Sequence, residues 1–219
     1  MFDWIKKFDL FLLDFDGLLV NTEKLHFEAY KKMVESLGFS FPIDFHTYLS
    51  GAHISQEELK NLIYSHCSGL KEKYPEWLKI REIKQKIYGD LLFQGQLELM
   101  PGVKELLDQL TLHNKKSCIV TNSPKDQIYL TESFLPQLKQ IPYRITREDY
   151  THPKPSGECY RLAIQKYGNL NDRIVGFEDS QKGVMALKDA GVLAIEVNPY
   201  AKNSLADHQF LSFFAINFA

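Results

Sequence analysis

Cysteine is scarce in this chain and badly placed for a framework: Cys67, Cys118 and Cys159 are an odd number with no Cys-x-x-Cys spacing. That excludes a disulfide-stapled fold and a thiolate zinc site, and it points to reduced thiols in a cytoplasmic protein. Charge of one sign is equally thin. With 26 basic and 28 acidic residues the formal charge is −2, so no broad positive field gathers nucleic acid or an anionic membrane surface. Long apolar runs are missing too. The tail at residues 210–218 falls short of the roughly 20 apolar residues a spanning helix needs, and it reads as a segment closing the core. Lys6 and Lys7 precede an apolar run as in an export signal, but Asp9, Asp14 and Asp16 interrupt it. What remains is ordinary globular composition, 44% hydrophobic and 25% charged, over 219 residues. That length suits one large domain or a main domain carrying an insertion.

Apolar runs of strand length recur at residues 8–14 (FDLFLLD), 116–121 (KSCIVT), 173–177 (RIVGF) and 193–197 (LAIEV). Between them lie helical patterns. Residues 101–112 place Val103, Leu106, Leu107 and Leu110 on one face behind a leading proline, and residues 180–190 do the same with Val184, Ala186, Leu187 and Ala190 before Gly191. Strands alternating with helices predict an α/β fold with a doubly wound parallel sheet covered on both faces. From residue 22 to residue 95 the strand-like runs stop. Leu59, Leu62, Ile63 and then Leu78, Ile80, Ile83, Ile87 recur at helical spacing, so this stretch is predicted to be a helical insertion, the core being 1–21 and 96–219. The charged stretch from residue 71 to residue 86 mixes Lys with Glu72, Glu76 and Glu82 and reads as a solvated helical face.

Ligands of open parallel sheets bind beyond the carboxyl ends of the strands. Those ends carry Asp14 and Asp16; Thr121, Asn122 and Ser123; Lys154; and Glu178 with Asp179. Each alone has an ordinary explanation as a cap, turn former or loop charge. Together they fit one chemistry. A phosphate dianion repels a carboxylate nucleophile, so a divalent cation must bridge them. Asp14, Asp179, Glu178 and the backbone carbonyl of Asp16 are the hard oxygen ligands expected for Mg²⁺. Asp14 would attack phosphorus, Asp16 would protonate the leaving oxygen and then activate water, and Lys154 would pair with the phosphate and Asp14. Thr121, with Asn122 and Ser123, offers polar groups beside a helix start, and Gly17 permits close backbone approach.

DFDGLLVNTE at residues 14–23, TNS at 121–123, Lys154 in HPKPSGECY and GFEDSQKGVMALKDAG at 176–191 resemble, in order, the four motifs of the haloacid dehalogenase-like hydrolase superfamily. The likeness is closest to its branch containing beta-phosphoglucomutase, phosphoglycolate phosphatase and sugar-phosphate phosphatases. The resemblance implies a Rossmann-like core with a helical cap inserted after the first motif. It also implies that His26 matches a cap-hinge histidine. The presence of Asp16 argues against dehalogenation. Leu18 and Asn21 depart from residues common in the family, and Gly157 stands where proline is frequent, which is expected to loosen the Lys154 loop. SGAHISQEEL at residues 50–59 resembles a substrate-recognition loop but lacks the arginine the mutase uses for a distal phosphate; His53 is the candidate to stand in for it.

The expected activity is therefore a Mg²⁺-dependent phosphatase acting on a small phosphorylated metabolite, with a sugar phosphomutase as the alternative. A non-enzymatic phospho-acceptor domain fits less well, because its accepting acid belongs on a middle strand and no large insertion follows it. Neither nucleic acid nor membrane is an expected partner, and the chain is expected to be a monomer or weak homo-oligomer.

Overall fold

The computed structural model describes residues 4–52, 54–94, 97–201 and 203–216. Helix α1 (Trp4–Lys7) leads into β1 (Leu10–Leu13). The helices α2 (Thr22–Ser36), α3 (Phe45–Ala52), α4 (Gln56–His66), α5 (Leu70–Lys73) and α6 (Trp77–Phe93) follow. The chain then alternates through α7 (Val103–Leu112), β2 (Lys116–Val120), α8 (Lys125–Phe134), β3 (Tyr143–Ile145), α9 (Glu158–Tyr167), β4 (Ile174–Glu178), α10 (Gln181–Asp189), β5 (Leu193–Val197) and β6 (His208–Phe210).

The six strands pair in the order β3-β2-β1-β4-β5-β6, every neighbour parallel. The chain winds outward from β1 to β3, then returns to β4 on the other side of β1, so β1 and β4 flank the switch point where crevices form in such sheets. Their register aligns Leu13 with Phe177. The residues that follow, Asp14 and Glu178, are thereby set side by side.

Both faces of the sheet are covered, which is why β1 is apolar throughout. On one face Leu10 and Leu12 join Cys118, Val120, Val184, Leu187 and Ala194 in a buried cluster. On the other, Phe11 stacks on Phe177 with centroids 6.3 Å apart, and Trp4 and Phe213 close against Phe177. The tail closes the core only in part: Phe213 and Ile216 are buried while Leu211 and Phe214 are exposed.

The chain divides into two compact units, Met1–Asn21 with Glu98–Ala219, and Thr22–Leu97. The second has its own core of Tyr30, Met33, Val34, Tyr48, Leu59, Ile63, Leu70 and Ile80. Its longest helix differs from the sequence reading. Leu78 and Ile83 on α6 are exposed, whereas Ile80, Lys84, Tyr88 and Leu91 form the buried stripe. Lys84 is thus not part of a solvated face. Its stem packs inward and its ammonium lies 5.1 Å from the Tyr30 ring centroid and 4.6 Å from that of Tyr88, a pairing that replaces part of the lost hydration.

Candidate active site

The first functional side chains come from the turn after β1. Asp14 continues the strand, its N–H donating to the Phe177 carbonyl at 3.0 Å. The chain then reverses through Gly17, whose φ of 81° suits glycine, and the Gly17 N–H bonds the Val20 carbonyl at 2.9 Å.

Lys154 arrives on the loop before α9 and is buried. Its ammonium donates to Asp14 Oδ1 at 2.6 Å, to Glu178 Oε1 at 2.6 Å and to the Val120 carbonyl at 2.8 Å. A backbone contact and a clamp fix that loop. The Lys154 N–H donates to Asn122 Oδ1 at 3.2 Å, and the Glu158 carboxylate takes the N–H groups of Thr151 and His152 at 2.8 and 2.9 Å. Gly157 does not loosen it. Its N–H donates to Asp189 Oδ2 at 2.7 Å, and a Cβ there would lie 2.7 Å from the Ala186 carbonyl, so glycine lets this loop pack on α10.

Thr121 follows β2 with its N–H on the Ile145 carbonyl at 3.0 Å, and its hydroxyl accepts the Ser123 N–H at 2.9 Å. The Tyr150 hydroxyl lies 2.8 Å from the Thr121 carbonyl and 2.7 Å from Asn122 Oδ1. Ser123 Oγ donates to Asp16 Oδ2 in a short bond, and Gln127 Nε2 donates to Asp16 Oδ1 at 3.3 Å. The Asp16 carboxylate is therefore turned toward the start of α8 in this structure.

Asp14, Glu178 and Asp179, all buried, place one oxygen each within 4.8 Å of one another. The Asn198 amide holds Asp179 by donating to its carbonyl at 2.7 Å. Two of these carboxyl groups, Asp14 and Glu178, share one ammonium. Burial, reinforced by Asp14, pushes the Glu178 carboxyl up to about 7 against the opposing pull of Lys154. Burial works to lower Lys154, but Asp14 and Glu178 carry it well above its ordinary range. Glu178 Oε2 is buried with no hydrogen-bond partner, the condition in which a carboxylate oxygen costs most unless a cation takes it. The donor set is all hard oxygen, so the residues present fit a divalent metal ion.

A family model described as haloacid dehalogenase-like hydrolase matches residues 11–197. The chain belongs to that family. Haloacid dehalogenase-like relatives include a phosphorylated carbohydrates phosphatase of Thermotoga maritima, 29% identical over 83% of this chain and 81% of the relative. A beta-phosphoglucomutase of Bacillus subtilis is 26% identical over 85% of this chain and 81% of its own length. In fold, the chain is similar to CbbY from Rhodobacter sphaeroides in complex with phosphate, with TM-score 0.73, 22% identity and coverage of 94% and 95% of the two chains. Within this family, the relatives' activities support a phosphoric monoester hydrolase.

Of the residues singled out in the sequence, Asp14, Asp16, Gly17, Thr121, Asn122, Ser123, Lys154, Glu178 and Asp179 all belong to the α/β unit. His26 belongs to the helical unit, where its Nδ1 is 2.7 Å from the Lys84 ammonium and its ring stacks on Tyr88 at 4.1 Å. His53 lies outside the described residues. Sequence reasoning missed Lys84, Gln127, Tyr150 and Tyr160. A lysine next to the exposed Ile83 carries no signal of burial; the aromatic pair Tyr30 and Tyr88, contributed by two helices, supplies it.

Proposed function

We propose that this chain is a Mg²⁺-dependent phosphatase of small phosphorylated metabolites, sugar phosphates being the leading class. The observation that carries the reading is the Lys154 ammonium 2.6 Å from both Asp14 and Glu178, with Asp179 completing the carboxylate cluster. That cluster would hold Mg²⁺ through Asp14, Glu178 and Asp179, the Asp16 carbonyl adding a further oxygen. When bound, the ion supplies charge neutralisation of the phosphate oxygens.

The chain's own residues then divide the work. An Asp14 oxygen attacks phosphorus, the bond to the leaving oxygen breaks, and Asp16 gives that oxygen its proton, leaving an acyl phosphate on Asp14. Water next attacks the same phosphorus, Asp16 takes the water's proton, and Asp14 is regenerated as phosphate departs. Lys154 holds Asp14 in position and offers positive charge to the transferring group. Thr121, Asn122, Ser123 and the Gly17 backbone are the groups proposed to receive phosphate oxygens. Substrate choice is proposed to reside in the helical unit and its Lys84–His26 pair. A cytoplasmic location suits the three free, buried cysteines.

Purified protein incubated with a panel of sugar phosphates, with Mg²⁺ and with chelator, tests the reading. Cation-dependent release of inorganic phosphate is expected. Interconversion of sugar phosphates without release would replace the phosphatase with a mutase, the reading that the Bacillus relative's name keeps in view.

A further inference from the structure

Tyr160 sits in the first turn of α9, fully buried. A phenol in that position must place its hydroxyl on an acceptor or bear the cost of an unmet donor. Its acceptor is Glu178 Oε1, reached by a short hydrogen bond. The same oxygen takes the Lys154 ammonium at 2.6 Å, and that ammonium stands 4.8 Å from the Tyr160 ring centroid. Two donors therefore converge on Oε1, while the buried Oε2 has no hydrogen-bond partner.

The other side of this carboxylate is closed by α10. A Cβ built on Gly183 would lie 2.0 Å from Oε2 and 2.3 Å from Oε1. Glu178 thus has one berth, bounded by the glycine and held by the phenol and the ammonium. The two donors are not equivalent. Lys154 divides its three protons among Glu178, Asp14 and the Val120 carbonyl, and in the proposed reaction Asp14 becomes an acyl phosphate, which alters what the ammonium faces. The phenol has one proton and gives it to Glu178.

We infer that Tyr160 is a positioning residue for the metal ion: its hydroxyl fixes Glu178 through Oε1 and so leaves Oε2 to the cation. A partner that orients a ligand carboxylate typically contributes about 10-fold to 100-fold in metal affinity or activity. This inference rests on the reading of Asp14, Glu178 and Asp179 as a divalent-cation site.

The test is calorimetric titration of Mg²⁺ into the full chain without substrate, for the wild type, Tyr160→Phe and Tyr167→Phe. The last removes the next phenol of the same helix and serves as control. Tyr160→Phe is expected to bind the cation about 10-fold to 100-fold more weakly, to melt near the wild-type temperature without cation, and to recover its kcat at saturating Mg²⁺. Tyr167→Phe is expected to titrate like the wild type. Binding by Tyr160→Phe within about twofold of the wild type, against the range expected of such a partner, would overturn the inference and leave the cation site standing. So would a kcat that saturating cation does not restore. A wild-type chain that binds no divalent cation would overturn the inference together with the reading beneath it.

Discussion

Lys154 is one ammonium shared by two buried carboxylates, and its removal isolates both. Breaking a buried pair by deleting one partner typically costs about 3–5 kcal/mol, because the surviving charge has no water to return to. Lys154→Met is accordingly expected to lower stability by about that amount in denaturant titrations of the cation-free protein. Added Mg²⁺ is expected to restore part of it. A loss below about 1 kcal/mol would mean that the two carboxyl groups do not depend on the ammonium. Asp16 presents the opposite case, a carboxylate outside the Asp14–Glu178–Asp179 cluster that Ser123 and Gln127 hold from one side. Asp16→Asn is expected to reduce kcat about 10²-fold to 10⁴-fold, the range for a positioned acid–base group, with Mg²⁺ affinity close to wild type. Steady-state assays and cation titrations separate the two effects; weakened binding with kcat retained would contradict the assignment.

Among the elements, the loop between β3 and α9 shows how a buried lysine proposed to be catalytic is held from outside its own site. Glu158 accepts two backbone N–H groups and the His152 ring, which hold its carboxyl down to about 2 from an ordinary 4.5. A group whose folded pKa is depressed contributes stability above its unfolded pKa, and that contribution is lost as pH falls from about 4.5 toward 2. The stability gap between wild type and Glu158→Gln is thus expected to be widest at neutral pH and to shrink through that window in urea titrations. A gap unchanged between pH 7 and pH 3, on either side of the ordinary carboxyl range, would show that Glu158 is not the clamp. The sequence made the longer elements legible for physical reasons. β1, β2, β4 and β5 are buried on both faces, so they read as apolar runs. β3 and β6 are three residues each, carry polar residues and sit at the sheet edges, so no run announces them. The stripe of α6 misled because Leu78 and Ile83 match the helical period yet face solvent. At the site, Asp14, Lys154, Glu178 and Asp179 were readable as polar groups at strand ends, whereas the Tyr160 contact depends on α9 and α10 packing on β4.

For the whole molecule, the doubly wound order brings together residues 14 and 179, far apart in the chain, because β1 and β4 are neighbours. No helix among the described residues is long and apolar enough to cross a membrane. A cation seated in the cluster would couple to global stability through mass action, adding about 2.7 kcal/mol at 100 times its Kd. Chelation is therefore expected to abolish phosphate release and to lower the melting temperature together, both returning with Mg²⁺; activity that survives exhaustive chelation would remove the metal from the account. Covalent phosphate on Asp14 is decided by acid quenching of the enzyme during turnover of a radiolabelled phosphate ester, followed by peptide mapping. Label is expected on the peptide containing Asp14, and none in the Asp14→Asn protein. Turnover with no labelled protein, or label on a different residue, would contradict it.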